Sequence, residues 1–187
     1  GLKGEDVTKN ILFIKDIPHY LMDNKFPYLI VRGEVYMSKS VFNKVKGAEH
    51  TDPRNLAVGS LKCDDVKVTE ARQLSFFAYK ACTNTKYFPF ENYVEELKFM
   101  SYLNFPVVPY CTMTSYSEVI KYFKMLETGR TILDYKVDGM VVCLNDSKRN
   151  EHMGHTDHHP RYSICLKFEA EAATTTVRRI DLSLIHI

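Results

Sequence analysis

The stretch Tyr28-Leu-Ile-Val-Arg-Gly-Glu-Val-Tyr-Met37 decides the fold class, because its residues alternate in character as a strand requires. A repeat of two puts Ile30, Arg32, Glu34 and Tyr36 on one face and Leu29, Val31, Val35 and Met37 on the other. Arg32 and Glu34 therefore project together from a face that is not the apolar one. Downstream, Ser38 or Ser40 caps a short helix through Val45, closed by Gly47, and a polar loop is expected from Ala48 to about Ala57. Leu74–Ala81 reads as a second strand, with Phe77 and Tyr79 on one side and Tyr79 at its far end. Asn92 stands three residues before Glu95, and Leu97, Met100 and Leu103 form an apolar stripe that Pro106 ends. Ser115 and Glu118 form a capping box for a further helix that carries Val119, Ile120, Phe123 and Leu126 inward and stops at Gly129. Two late strands follow. Val137–Leu144 is one, and Arg161–Phe168 is the other, where Tyr162, Ile164, Leu166 and Phe168 alternate with Arg161, Ser163, Cys165 and Lys167. Helices lie between strand pairs without a repeating βαβ unit, so the expectation is an α+β fold on antiparallel sheet.

Composition fits one folded domain. The chain has 187 residues, 45% apolar and 26% charged, with a formal net charge of +2. At this length roughly 70% of the unfolded surface can be buried, so a core forms without staples. No apolar run approaches the roughly 20 residues that cross a bilayer, and Gly1-Leu-Lys-Gly-Glu-Asp6 does not read as a signal peptide. The five cysteines are odd in number and widely spaced, which disfavours a disulfide framework or a zinc knuckle and fits a reducing cytoplasm. Near-balanced charge says nothing decisive about nucleic acid.

Neither a P-loop nor a Gly-x-Gly-x-x-Gly fingerprint occurs. The chain instead places charges on strands: Glu34 on the first, Asp138 beside Gly139, and Lys167 on the last. Either they lie on a solvated sheet face or they line a site. Cys143 and Cys165, also on strands, read as small apolar residues. The run His152-Met-Gly-His155-Thr-Asp-His158-His159 reads as a polar connector, with no Cys or Glu at ligand spacing.

In order and spacing, Arg32-Gly-Glu-Val35, Asp52-Pro-Arg-Asn-Leu-Ala-Val-Gly-Ser-Leu61, Phe76-Phe-Ala-Tyr79, Val137-Asp-Gly-Met-Val-Val142 and Tyr162-Ser-Ile-Cys-Leu-Lys-Phe168 resemble the adenylation domain of bacterial-type NAD+-dependent DNA ligases. Gly4-Glu-Asp-Val-Thr8 with Asn10 is similar to the segment after that family's nucleophile motif, and the resemblance runs from about Gly4 to Ile180. It implies a nucleotidyltransferase fold of the ATP-grasp-like DNA ligase type, with two antiparallel sheets and flanking helices around an adenylate cleft. It also implies nick sealing in DNA replication and repair, through lysyl-AMP and AMP-DNA intermediates. The reactants would be NAD+ and nicked double-stranded DNA, with Mg2+ or Mn2+ stabilising charge on the phosphate oxygens. Carried over, Glu34 holds the ribose hydroxyl, Tyr79 stacks on adenine with Val141 also at the nucleotide, and Lys167 meets the α-phosphate. Asp138 orients the nucleophile or binds metal, and Arg54, Lys62, Arg72 and Arg130 contact phosphates of AMP or DNA. A monomer is expected.

Lys136-Val-Asp-Gly139 satisfies the nucleophile pattern Lys-x-Asp-Gly, but the other motifs already stand upstream of it, so Asp138-Gly139 reads as the fourth motif. The nucleophile motif is then expected upstream of Gly1. Residues 1–181 would be a partial, inactive adenylation domain lacking also the family's N-terminal helical subdomain and its OB-fold, zinc-binding and helix-hairpin-helix parts. Leu182–Ile187 departs from the family and reads as a foreign tail. Inside the motifs, Cys143 stands where the family has lysine and removes a cation. Lys62 replaces an arginine and loses its planar fork, and Asp52 replaces an asparagine. Two other readings remain open: an ATP- or GTP-using RNA ligase or capping enzyme acting through Lys136, and a module that binds AMP or nicked DNA without chemistry.

Overall fold

A computed structural model describes residues 3–21, 28–47, 52–83, 90–169 and 174–180. The tail expected to be foreign lies outside the described residues. In chain order the elements are α1 (Thr8–Ile11), β1 (Leu29–Tyr36), α2 (Lys39–Val45), α3 (Pro53–Leu61), α4 (Val66–Ala71), β2 (Ser75–Thr83), α5 (Tyr93–Tyr102), α6 (Tyr116–Gly129), β3 (Gly139–Cys143), α7 (Ser147–Met153) and β4 (Ser163–Lys167). β1 pairs with β2 and β3 with β4, both antiparallel. Helices and antiparallel sheets are therefore mixed, as the α+β reading expects.

β1 keeps its alternation. Leu29, Val31 and Val35 pack on the core, while Ile30, Arg32 and Glu34 are exposed. Gly33 falls on the inner face, where an added Cβ would lie 2.0 Å from the Phe76 ring. The rhythm of β2 breaks. Leu29 to Arg32 pair with Thr83 to Lys80, then Gly33 resumes at Ala78, so Tyr79 is the extra residue of a bulge. Phe76, Ala78 and Ala81 are all buried. The inward positions thus jump from 78 to 81, and Tyr79 and Lys80 both fall on the outer side. Tyr79 is not at the far end of its strand, as the sequence suggests, but at this bulge within it.

The core lies between the inner face of β1–β2 and the helices α3 and α5, with Leu56, Ala57, Leu97, Met100 and Leu103 all buried. Asn92 caps α5 by accepting from Glu95 N. A buried polar chain fixes α1 to α3 and α4. Asn10 Nδ2 donates to Thr69 Oγ1 and Cys63 O, each at 2.8 Å, and Thr69 Oγ1 donates to Ser60 O at 2.7 Å.

The polar loop expected through Ala57 is corrected: its described part, from Asp52 on, starts α3. Asp52 accepts from Arg54 N at 2.7 Å and Pro53 occupies the first turn, where its missing N–H costs nothing. Lys136 Nζ also donates to Asp52 Oδ2. That bond holds the Asp52 carboxyl below the usual aspartate range despite partial burial, with the Arg54 N–H adding to the effect. Its contribution to stability is therefore present above the ordinary aspartate pKa and lost as pH falls through the lowered one. At neutral pH, Asp52→Ala is expected to cost about 0.5–2 kcal/mol in a thermal melt, while Asp52→Asn, which still caps, costs less.

The second sheet stands apart from this core. α6 carries the expected capping box of Ser115 and Glu118, but Val119, Ile120, Phe123 and Leu126 are only half-buried. Phe123 packs on Phe168 with ring centroids 5.1 Å apart. Ile164, expected inward, is exposed, because it lies toward the end of a two-stranded sheet that α6 does not cover. Gly139 fits against β4 so closely that a Cβ would lie 2.1 Å from Leu166 O.

Candidate functional site

Glu34 on β1, Asp138 just before β3 and Lys167 at the end of β4 are all exposed. On β1–β2 the outer face carries Glu34, Phe77 and Tyr79, with Glu34 directly across from Phe77. Phe77 stacks on Tyr36 at 4.8 Å, and Tyr135 meets both rings edge-on at 5.4 and 5.6 Å. The segment bearing Tyr135 is tied down at Asp134, whose carboxylate accepts from Ser40 N and Ser40 Oγ at 2.8 and 2.6 Å. This brings the next residues of the chain to Glu34 and to the start of α3.

Arg54 joins the two sheets. Its guanidinium lies 3.2 Å from Asp138 Oδ2 and 3.9 Å from Glu34 Oε1. Both contacts are exposed, and exposed pairs contribute about 0–1 kcal/mol, so the fold does not depend on them. What they do is hold two carboxylates from different sheets on one cation. Phe168 N donates to Asp138 O at 2.9 Å, and Lys167 pairs across the ladder with Gly139. Register puts Val141, Cys143 and Lys167 on one face of β3–β4. Val141 is 66% exposed and Tyr79 41% exposed, so an apolar and an aromatic side chain are both open to a ligand.

The turn after β3 is stitched to α5: Tyr93 N donates to Asn145 O at 3.1 Å and Val94 N to Asn145 Oδ1 at 3.0 Å. Tyr93 Oη in turn donates to Tyr79 O at 2.5 Å. Burial, with Cys143 and Glu96 nearby, holds the Tyr93 phenol well above its ordinary pKa, so it stays a donor. Burial likewise pushes the Cys143 thiol up, leaving it a poor nucleophile.

Sequence reasoning singles out Glu34, Asp138, Tyr79, Val141 and Lys167; the structure brings Glu34 and Asp138 to one cation and leaves Tyr79, Val141 and Lys167 exposed. That reasoning assigns Arg54 to phosphates but misses that Arg54 bridges Glu34 to Asp138. It also misses Tyr93, whose only signal is its place just after the Asn92 cap. The other cations have protein contacts of their own. Lys62 ends α3 and pairs with Glu5 at 2.8 Å, Arg72 donates to Val45 O at 2.5 Å, and Arg130 lies 5.3 Å from the Phe168 ring centre. Lys136 is engaged by Asp52, not by Asp138. In the histidine run, His152 ends up in α7, while Thr156 binds His159 within a turn. Among the described residues no three His, Cys, Asp or Glu side chains group to hold a metal. A hollow of 270 Å3 at Arg72 and one of 440 Å3 along α7 include none of Glu34, Tyr79, Asp138, Val141 and Lys167 in their lining.

A family model for the NAD-dependent DNA ligase adenylation domain matches residues 1–171. The DNA ligase of Clostridioides difficile (strain 630) is 38% identical over 185 residues, which cover 95% of this chain and 27% of that protein. The DNA ligase of Afipia carboxidovorans is 37% identical over 194 residues, covering 98% and 27%, and that of Neisseria gonorrhoeae (strain NCCP11945) is 35% identical over 195 residues, covering 98% and 24%. The chain spans about a quarter of the length of these relatives.

Proposed function

We propose a function from one premise: this chain belongs to the family of NAD-dependent DNA ligase adenylation domains. Its part in such a ligase is to hold the adenylate on a nucleotidyltransferase fold while nicks are sealed in replication and repair. The observation that supports the site is the Arg54 bridge, which gathers Glu34 of β1 and Asp138, just before β3, on one cation, with Tyr79 and Val141 both exposed.

In this reading Tyr79 stacks on one face of adenine and Val141 meets the other, while Glu34 accepts from the ribose hydroxyls. Lys167 places its ammonium at the α-phosphate. NAD+ supplies the adenylyl group: a lysine nitrogen forms a bond to phosphorus as the bond to the leaving nicotinamide mononucleotide oxygen breaks. The adenylyl group then passes to the 5′-phosphate of the nick, and the 3′-hydroxyl displaces AMP. Through these steps Lys167 offsets charge on the equatorial oxygens. Arg54 relieves repulsion between Glu34 and Asp138, and its remaining guanidinium donors are available to an incoming phosphate. Lys136 is not given the nucleophile's part, since Asp52 engages its ammonium.

Asp138 suits Mg2+ or Mn2+ in the manner of cations that bind through one or two carboxylates plus substrate phosphates and keep their waters. Such an ion supplies charge neutralisation on the phosphate. Lys62, Arg72 and Arg130 meet DNA phosphates from the ends of α3, α4 and α6, with nicked double-stranded DNA as the partner. The protein works as a cytoplasmic monomer. No helix among the described residues is long and apolar enough to cross a membrane.

Calorimetric titration with AMP tests the site. Stacking on an aromatic ring contributes about 1–3 kcal/mol per base, so Tyr79→Ala is expected to weaken AMP binding about 5- to 150-fold while Tyr79→Phe keeps it. An unaltered chain that binds no AMP, or a Tyr79→Ala chain that binds as tightly, defeats the reading.

A further inference from the structure

The bulge in β2 turns a second side chain toward the nucleotide face. Ala78 and Ala81 are both buried, so Lys80 is carried to the outer side next to Tyr79. Bulges re-aim side chains in this way beside functional sites. Across the ladder Lys80 meets Arg32, a like-charge pairing that costs a sheet stability.

Two residues of α5 hold the lysine in place. Its Nζ lies 3.0 Å from Glu96 Oε2 and 5.8 Å from the centre of the Tyr93 ring. Glu96 is fully buried and is itself fixed by Ala81 N, which donates to Oε1 at 2.6 Å. Tyr93 holds Tyr79 as well, through the bond from its hydroxyl to Tyr79 O. One residue thus sets the position of both the ring at 79 and the ammonium at 80. On β3, burial holds the Cys143 thiol up, with Lys80 lowering and Glu96 raising its pKa.

We propose that Lys80 is a base-recognition residue, donating from its ammonium to an acceptor on the edge of the nucleobase that stacks on Tyr79. It rests on Tyr79 as the stacking platform. An ammonium has three donors and no acceptor, so one can stay on Glu96 while another reaches the ligand. Lys80 follows Tyr79 directly in the chain and its ammonium is tethered on α5, whereas the phosphate end of the proposed site is at Lys167 and Arg54. A base edge offers ring nitrogens as acceptors, and a lysine tethered here meets that edge rather than the phosphate.

The test compares Glu96→Gln alone with the pair Lys80→Met and Glu96→Gln, so that no unpaired carboxylate is left buried, with circular dichroism to confirm that both fold. Adenosine, AMP and ribose 5-phosphate are titrated into each and into the unaltered chain. A hydrogen bond from a charged donor predicts a loss of about tenfold to a hundredfold for adenosine and AMP alike on removing Lys80, with ribose 5-phosphate unchanged. Equal affinities in the two variants, or a loss for AMP that adenosine does not share, overturn the assignment. If the unaltered chain binds neither adenosine nor AMP, the adenylate reading itself fails and takes this inference with it.

Discussion

Replacing Glu96 by alanine is expected to lower stability by about 3–5 kcal/mol, the range seen when one partner of a buried ion pair is removed. The carboxylate is 1% exposed and accepts from both Lys80 Nζ and Ala81 N. Truncation strands a backbone N–H and a half-buried ammonium together, at the point where α5 meets the β2 bulge. Burial also raises the Glu96 pKa, more than the Ala81 and Lys80 contacts lower it. The folded chain therefore keeps this proton at a pH where the unfolded chain has lost it. The group's contribution is full below the ordinary glutamate pKa and declines as pH rises from there through the raised value. Thermal melts across that interval should show a decline that Glu96→Gln flattens, and a parallel decline in Glu96→Gln would contradict the assignment.

The second large effect belongs to Gly139→Ala. The new Cβ would lie 2.1 Å from Leu166 O and 2.8 Å from Lys167 Cα. Both are backbone atoms of the paired strand, so no side-chain rotation relieves the clash and the β3–β4 ladder has to open. Overpacking typically costs about 1–3 kcal/mol and sometimes more, and a backbone obstacle belongs at the upper end. The same opening separates Asp138 from Lys167, so AMP affinity should fall with stability. A Gly139→Ala chain that melts and binds AMP like the unaltered one would show that this close approach has no role.

The helices with a side-chain cap and a regular apolar stripe, α5 and α6, are legible because their signals are local. α3 is not, although Asp52-Pro53 is a good helix start. Pro53, Asn55, Gly59 and Ser60 read as loop residues, and the buried stripe Pro53, Leu56, Ala57 and Ser60 includes a proline and a serine while apolar Val58 lies off it. The bulge is hidden for a deeper reason: alternation assumes one residue per step, and Phe76 to Ala81 breaks that count at Tyr79. In the proposed site, Glu34, Tyr79 and Asp138 come from the motifs that carry the family resemblance. The Arg54–Asp138 and Ser40–Asp134 contacts join partners far apart in the chain and carry no periodic signal. Arg72 carries a further contact that residue type does not announce: its guanidinium donates to Val45 O at the end of α2.

The most direct measurement is an AMP titration followed by amide chemical-shift mapping on the unaltered chain. The account predicts that the perturbed amides cluster at Glu34, Tyr79, Lys80, Gly139, Val141 and Lys167, bringing β1–β2 and β3–β4 into one footprint. Perturbations confined to the hollow at Asn55, Gly59 and Arg72, or to α7, would place the nucleotide elsewhere and contradict it.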